Sequence, residues 1–224
     1  MRIIAGSKRG LKLLSPKTNI SRPITDRVKE SVFSVIYKYD MPEGKVVADV
    51  FSGVGSMGLE ALSRGAEVVI FVERNPKIID TLRKNIDRAG FADKSRVVRG
   101  DAFKIGAAID FDVCKAYDLV TVDPPFAALR STGSGSQIDK LMNLLVSQLN
   151  PGGIVVVRMH KAVELFESYG NMKKIDRRKW GLNAVEIFQL YESISDCTTT
   201  EKSDSIPCDN NGIPGHSNQD RPGD

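Results

Sequence analysis

The stretch Val46-Val47-Ala48-Asp49-Val50-Phe51-Ser52-Gly53-Val54-Gly55-Ser56-Met57-Gly58 decides the fold. A short apolar run, interrupted only by Asp49, leads into Gly-x-Gly-x-x-Gly, and Gly58–Arg64 then reads as a helix ending at Gly65. A glycine-rich turn between a strand and a helix is the context in which this motif brings backbone close to a ligand. Working outward, strand and helix alternate. Val68–Val72 reads as a second buried strand. Pro76–Ala89 reads as an amphipathic helix with Ile78, Ile79, Leu82 and Ile86 on one side, stopped by Gly90. Arg96–Arg99 and Tyr117–Val122 read as the third and fourth strands, Ile138–Leu149 as a helix, and Ile154–Met159 as the fifth strand. Lys173–Trp180 and Val185–Tyr191 form a closing pair around Gly181-Leu182-Asn183. The expectation is an α/β fold: a Rossmann-like, doubly wound, mostly parallel sheet of seven strands. Such sheets take ligands beyond the carboxyl ends of their strands.

Upstream, Arg22-Pro23-Ile24-Thr25-Asp26 sets up a helix: Pro23 keeps Arg22 extended, Thr25 is the expected N-cap, and Asp26 suits the first turn. Residues 1–20 read as a basic β-hairpin arm carrying Arg2, Lys8, Arg9, Lys12 and Lys17 with no acid. The arm is expected to project from the α/β domain of residues 21–192 and to order on a polyanion. Residues 193–224 are rich in Ser, Thr, Asp, Asn, Gly and Pro and read as a disordered polar tail. The chain of 224 residues is 41% hydrophobic and 27% charged, with a net charge of +4. The positive excess gathers at the start and an acidic excess in the tail. No apolar run approaches the roughly 20 residues of a membrane span. No secretory leader is evident, and three cysteines and two histidines show no metal-ligand spacing, so a cytoplasmic protein without a metal is expected.

Three acids stand at three consecutive strand ends. Asp49, four residues before Gly53, lies where a dinucleotide would bring its pyrophosphate, so it better suits a ligand carrying an amino group. Glu73, at the end of the second strand, can accept hydrogen bonds from both hydroxyls of a ribose. Asp101, followed by Ala102, can meet an adenine amino group. The set fits S-adenosylmethionine better than a dinucleotide. At the fourth strand end stands Asp123-Pro124-Pro125-Phe126. Two prolines remove two N–H donors, so the loop offers only acceptors, which suits a substrate that donates N–H from an exocyclic amino group. Phe126 can stack on a planar base.

These residues together resemble the class I S-adenosylmethionine-dependent methyltransferases with an Asn/Asp-Pro-Pro-aromatic motif. Met1–Gly6, Arg22–Phe33, Asp49–Ala66 and Asp123–Phe126 resemble, in register, the bacterial small-subunit ribosomal RNA guanine-N2 methyltransferases of the RsmD type. The resemblance covers roughly residues 1–192. It implies that Asp49, Phe51, Ser52, Gly53 and Gly55 line the methionine side of S-adenosylmethionine. It further implies that Glu73 holds the ribose, Asp101 and Ala102 the adenine, and that Arg22, Thr25 and Arg27 pack beside the cofactor. Asp123, Pro124, Pro125 and Phe126 would carry catalysis, and Arg2, Lys8, Arg9 and Lys12 would meet ribosomal RNA, in a small-subunit particle, with the enzyme a monomer. Arg158 departs from the resemblance: an acidic residue is expected there on the fifth strand. Two other readings remain: an amino methyltransferase acting on adenine or cytosine of DNA or another RNA, and a non-catalytic RNA-binding protein on the same fold.

Overall fold

Alternating apolar runs and amphipathic helices condense into an eight-stranded sheet in the order β3-β2-β1-β4-β5-β8-β7-β6. The structure is a computed structural model that describes residues 1–15, 25–110 and 112–192. Arg22 and the polar tail lie outside the described residues. The strands are β1 (Val46–Val50), β2 (Val68–Glu73), β3 (Ser95–Arg99), β4 (Tyr117–Val122), β5 (Leu149–His160), β6 (Ser168–Tyr169), β7 (Met172–Trp180) and β8 (Asn183–Leu190). The first five are parallel, while β5–β8, β8–β7 and β7–β6 are antiparallel. The seventh and eighth strands match the expected closing pair. The additional strand, β6, is a two-residue segment that pairs only with the start of β7, too short to show any periodicity.

Among the described residues five α-helices cover the two faces: α1 (Asp26–Ile36), α2 (Ser56–Ser63), α3 (Pro76–Ala89), α4 (Ala102–Ile105) and α5 (Gln137–Val146). Thr25 caps α1 as expected, its hydroxyl accepting from the Val28 N–H, with Asp26 in the first turn. In α3, Asn75 caps the helix, Pro76 begins it and Gly90, left-handed, ends it. Its buried stripe is Ile79, Leu82, Ile86 and Ala89, and burying each large aliphatic is worth roughly 1.5–3 kcal/mol. Helix α5 stops three residues before the expected Leu149, because Gln148 turns inward to accept from the Ala107 N–H and donate to the Ile105 carbonyl. No helix among the described residues is long and apolar enough to cross a membrane.

The N-terminal hairpin departs from expectation. It is held by Arg2 bridged to Lys12 and by short-range backbone bonds rather than by two regular strands. Nor does it project. Ile3 is fully buried and Leu13 nearly so, both in the core cluster on the α1 face of the sheet. The Ile4 and Ala5 N–H groups donate to the two oxygens of Glu60 on α2, at 2.8 and 3.0 Å. The Leu14 N–H donates to Asn85 Oδ1 on α3, and Asn85 returns a hydrogen bond to the Leu14 carbonyl. Buried apolar residues and satisfied backbone groups fasten this segment to the domain, so its charge pattern described its outer side only.

Candidate active site

Strand β1 ends at Val50, and Phe51 takes φ of +61°, a conformation uncommon for a bulky residue that turns the chain sharply off the sheet. The Ser52 N–H donates to the Val72 carbonyl of β2, and the Gly55 N–H closes the turn on the Ser52 carbonyl. At Gly58 a Cβ would lie 2.3 Å from the Phe71 ring, so only glycine lets α2 settle on β2. Gly53 is different. Its φ is +56°, and where a Cβ would stand the nearest atom is the Phe51 carbonyl oxygen at 4.0 Å. That position faces open space, a ledge where a ligand can approach the backbone.

Around this ledge the structure brings together the strand-end acids, each with a definite local task. Glu73 spans the loop and the next helix, one oxygen accepting from the Gly53 N–H (3.1 Å) and the other from the Asn75 N–H (2.8 Å). Asp101 caps α4 by accepting from the Phe103 N–H, with Ala102 buried behind it. Phe51 packs against Phe103 (ring centroids 4.8 Å), which puts its ring on the wall beside Asp101 and Ala102. Asp49 lies beneath the loop. It is 2% exposed, and its oxygens accept from the Gly58 N–H (2.8 Å) and the Thr121 hydroxyl (2.9 Å). It braces the first turn of α2 where a free acceptor beside a ligand was expected. The chemistry of the set fits S-adenosylmethionine: an open glycine ledge, a part-exposed carboxylate at Glu73 for a ribose diol, and Asp101 with Ala102 for adenine. Thr25 serves as a helix cap, and Arg27 is exposed on α1.

Burial pushes the Asp49 carboxyl up to about 7, against the two hydrogen bonds that favour its charged form. Between the ordinary value near 3.8 and 7 the folded protein therefore holds a proton that the unfolded chain has released, so stability falls as pH rises through that window. Asp49→Asn keeps an acceptor for Gly58 and a partner for Thr121 but does not titrate. Chemical denaturation from pH 5 to 8 should show wild type losing stability relative to this variant as pH rises. Parallel curves would place the titration elsewhere.

The acceptor loop follows β4. The Asp123 N–H donates to the Val50 carbonyl at 3.2 Å, tying this strand end to that of β1. Pro124 is buried, and its carbonyl accepts no hydrogen bond among the described residues, whereas the Pro125 carbonyl is taken by the Ala128 N–H. The half-exposed Phe126 ring stands edge-on to His160, centroids 6.2 Å apart. The loop is not composed of acceptors alone. Arg158 of β5 grips the Asp123 carboxylate with two hydrogen bonds, Nε to Oδ1 at 2.8 Å and Nη2 to Oδ2 at 2.7 Å. Burial raises the Asp123 carboxyl above the usual carboxylate range, and the Arg158 guanidinium opposes that rise. A narrow cleft lined by Val32, Met57, Val156 and Val185 opens beside this pair and Thr121. Thr121 and Phe103 were not singled out by sequence reasoning, and Arg158 was noted only as a basic residue where an acidic one is expected. The unexpected basic residue at 158 was the one signal that pointed toward any of them.

A doubly wound sheet with a glycine ledge, acids at the ends of β1, β2 and β3, and an Asp-Pro-Pro-Phe loop after β4 defines a class I methyltransferase that uses S-adenosylmethionine. Residues 1–189 match the family described as "Conserved hypothetical protein 95", and the chain belongs to this RsmD-type family. It is 33% identical over 190 residues to the Bacillus subtilis protein named "Putative rRNA methyltransferase YlbH", covering 84% of this chain and 98% of that one. It is 36% identical over 126 residues to the Escherichia coli "Ribosomal RNA small subunit methyltransferase D", covering 56% of this chain and 60% of that one. A solved Escherichia coli structure, "Putative methyltransferase yhhF", superposes with a TM-score of 0.69 at 27% identity over 86% of this chain and 99% of that one.

Proposed function

We propose that the protein methylates the exocyclic N2 amino group of a guanine in small-subunit ribosomal RNA. The observation that carries this reading is the Asp123–Pro124 acceptor pair, held at the end of β4 and joined to β1 within the site. The names of the Bacillus subtilis and Escherichia coli relatives support ribosomal RNA as the substrate. S-adenosylmethionine supplies an electrophilic methyl group on a sulfonium. The chain's own residues manage the acceptor. The Asp123 carboxylate and the Pro124 carbonyl accept N–H bonds from an amine whose lone pair is otherwise delocalised into the ring. The Asp123 carboxylate would stabilise the positive charge that grows on the amine nitrogen as it takes up the methyl group that bound S-adenosylmethionine would supply, leaving S-adenosylhomocysteine. The excess proton then leaves to Asp123 or to water. Positioning supplies much of the rate, and Phe126 offers a face for a base turned out of its stack.

Mass spectrometry of ribosomal RNA nucleosides from cells with and without the enzyme tests this reading. N2-methylguanosine should fall in small-subunit RNA when the enzyme is absent. Loss of a methylated adenosine or cytidine instead would reassign the base. Within the site, Glu73→Ala should weaken S-adenosylmethionine by ~1.5–3 kcal/mol in calorimetry, the range for hydrogen bonds to a charged group. An unchanged dissociation constant would remove Glu73 from the cofactor site.

The exposed side of the N-terminal hairpin is proposed to meet RNA phosphates through Lys8, Arg9 and Lys12. Arg2 is engaged differently, paired to Asp26 at 2.7 Å. Reversing Lys8, Arg9 and Lys12 to glutamate should weaken RNA binding and flatten its salt dependence by roughly one unit per lost phosphate contact, leaving cofactor affinity unchanged. Wild-type RNA affinity at moderate salt in the triple variant would assign those charges to solubility.

A further inference from the structure

Strand register carries one face of the sheet sideways from the acceptor loop. Arg158 of β5 lies opposite Val185 of β8, which lies opposite Arg178 of β7. In the next row, His160 lies opposite Asn183, and Asn183 opposite Trp180. Side chains two residues apart on a strand share a face. Val156 and Val185 belong to the core cluster on the α1 face, and Trp180 packs against that same cluster. The side chains of Arg158, His160, Asn183, Trp180 and Arg178 therefore line one side of the sheet beyond its buried part. All but Arg178 are partly exposed, and the Arg178 side chain is 46% exposed. At the acceptor end, Asp123 is bound to Arg158 and Phe126 touches His160. Trp180 stands two strand spacings away from β5, ~10 Å.

We propose that this strip is a platform for the single-stranded RNA next to the base being methylated, with Trp180 stacking on a neighbouring base. The proposal rests on the RNA reading above and extends it to a surface distinct from the N-terminal hairpin, on β5, β7 and β8. Its chemistry suits a single strand. Trp180 and His160 offer flat faces, on which bases stack irrespective of sequence. Arg178 is held only by Asp176 at 3.0 Å, an exposed pair that contributes little and that a phosphate can displace. Lys161, just past the end of β5, joins Arg178 as an exposed cation and makes no ion pair among the described residues. Leu182, 53% exposed at the tip of the β7–β8 turn, leaves an apolar shoulder beside them. A polyanion with aromatic rings complements this mixture, and continuity with the acceptor loop puts it where a substrate strand must pass.

Trp180 is the one tryptophan of the chain, so its fluorescence reports this surface directly. Titrating the full-length protein with a single-stranded RNA 10-mer should quench and saturate the signal, and salt should weaken the binding. In methyl transfer to small-subunit ribosomal RNA, Trp180→Ala should raise KM for RNA about tenfold, equivalent to ~1.4 kcal/mol. Its kcat and S-adenosylmethionine affinity should be unchanged. Trp180→Phe should restore most of the loss. Arg178→Glu and Lys161→Glu, at exposed positions that do not threaten folding, should each raise KM severalfold. Methyl transfer to RNA with no quenching by the 10-mer and unchanged KM in all four variants would overturn the platform while leaving the RNA reading intact. Quenching by RNA without methyl transfer to any RNA would uphold the surface and overturn the reading.

Discussion

Replacing Asp123 with alanine is expected to lower kcat by ~10²-fold or more, the scale for removing a group that stabilises developing charge, and to leave S-adenosylmethionine affinity nearly intact. Gly53, Glu73, Asp101 and Ala102, the residues proposed to hold the cofactor, do not use Asp123 as a partner. The simple variant carries a complication that the geometry makes explicit. The Arg158 side chain is 13% exposed, and without the carboxylate its charge is left partly buried and unpaired, which destabilises by itself. Asp123→Asn retains shape and one acceptor, and Asp123→Ala combined with Arg158→Met removes the stranded charge. If activity is lost in all three while the double variant recovers stability, the loss belongs to chemistry. Loss of cofactor binding in step with activity would show that Asp123 serves the wrong ligand.

Arg158→Met alone has a different signature. Burial then acts on Asp123 without the guanidinium that opposes it. The charged groups facing that carboxylate are Arg158 from β5 and, through Thr121, Asp49 from β1. The sign follows: Asp123 ionises at higher pH, so the acid limb of the pH–rate profile moves upward and part of the lost rate returns under alkaline conditions. A uniform loss at every pH would make Arg158 a structural residue only.

The second large effect is on stability. Glu60 is fully buried and gathers the Ile4 and Ala5 N–H groups, the Lys29 ammonium at 3.1 Å and the Arg64 guanidinium at 2.8 Å. Lys29 is equally buried and donates to the Arg2 carbonyl at 2.6 Å. Glu60→Ala orphans two backbone donors and two cations, and breaking one buried pair typically costs about 3–5 kcal/mol. For a domain of this size Tm should fall by roughly 6–20 °C. Glu60→Gln keeps acceptors for one N–H but not the charge and should fall between. Replacing Glu60 and Lys29 together by methionine should cost less than Glu60→Ala, because no charge remains buried alone. A Tm within a degree or two of wild type in the single variant would show that the hairpin is not fastened through this carboxylate.

Much of the architecture was legible because it rests on local chemistry. The Gly53–Gly58 loop, the Thr25 cap, Gly90 as a stop and the buried runs of β1, β2 and β4 all act over a few residues, and period and punctuation reveal them. What escaped notice depends on pairs distant in sequence. Nothing near Arg158 says that its fork meets a carboxylate 35 residues earlier. Glu60 reads as an ordinary polar position on a helix until the hairpin donors from 55 and 56 residues away arrive. Asp49 was recognised as special, but its partner Thr121 was not visible, since it reaches Asp49 from the adjacent strand 72 residues on. The hairpin was misjudged for the opposite reason: lysines and arginines dominate its composition, while the two side chains that decide its placement are Ile3 and Leu13.

The docking of that hairpin also orders events during synthesis. Leu14 is the early partner of Asn85, 71 residues downstream. At a translation rate of about 5–20 residues per second, that gap is roughly 4–14 s of elongation. Until residue 60 is made the hairpin lacks Glu60 to receive Ile4 and Ala5, and until residue 85 it lacks Asn85 to receive Leu14. The opening residues leave the ribosome first and take their seats late. During that interval a basic, unseated segment travels beside the particle whose RNA the finished enzyme is proposed to modify.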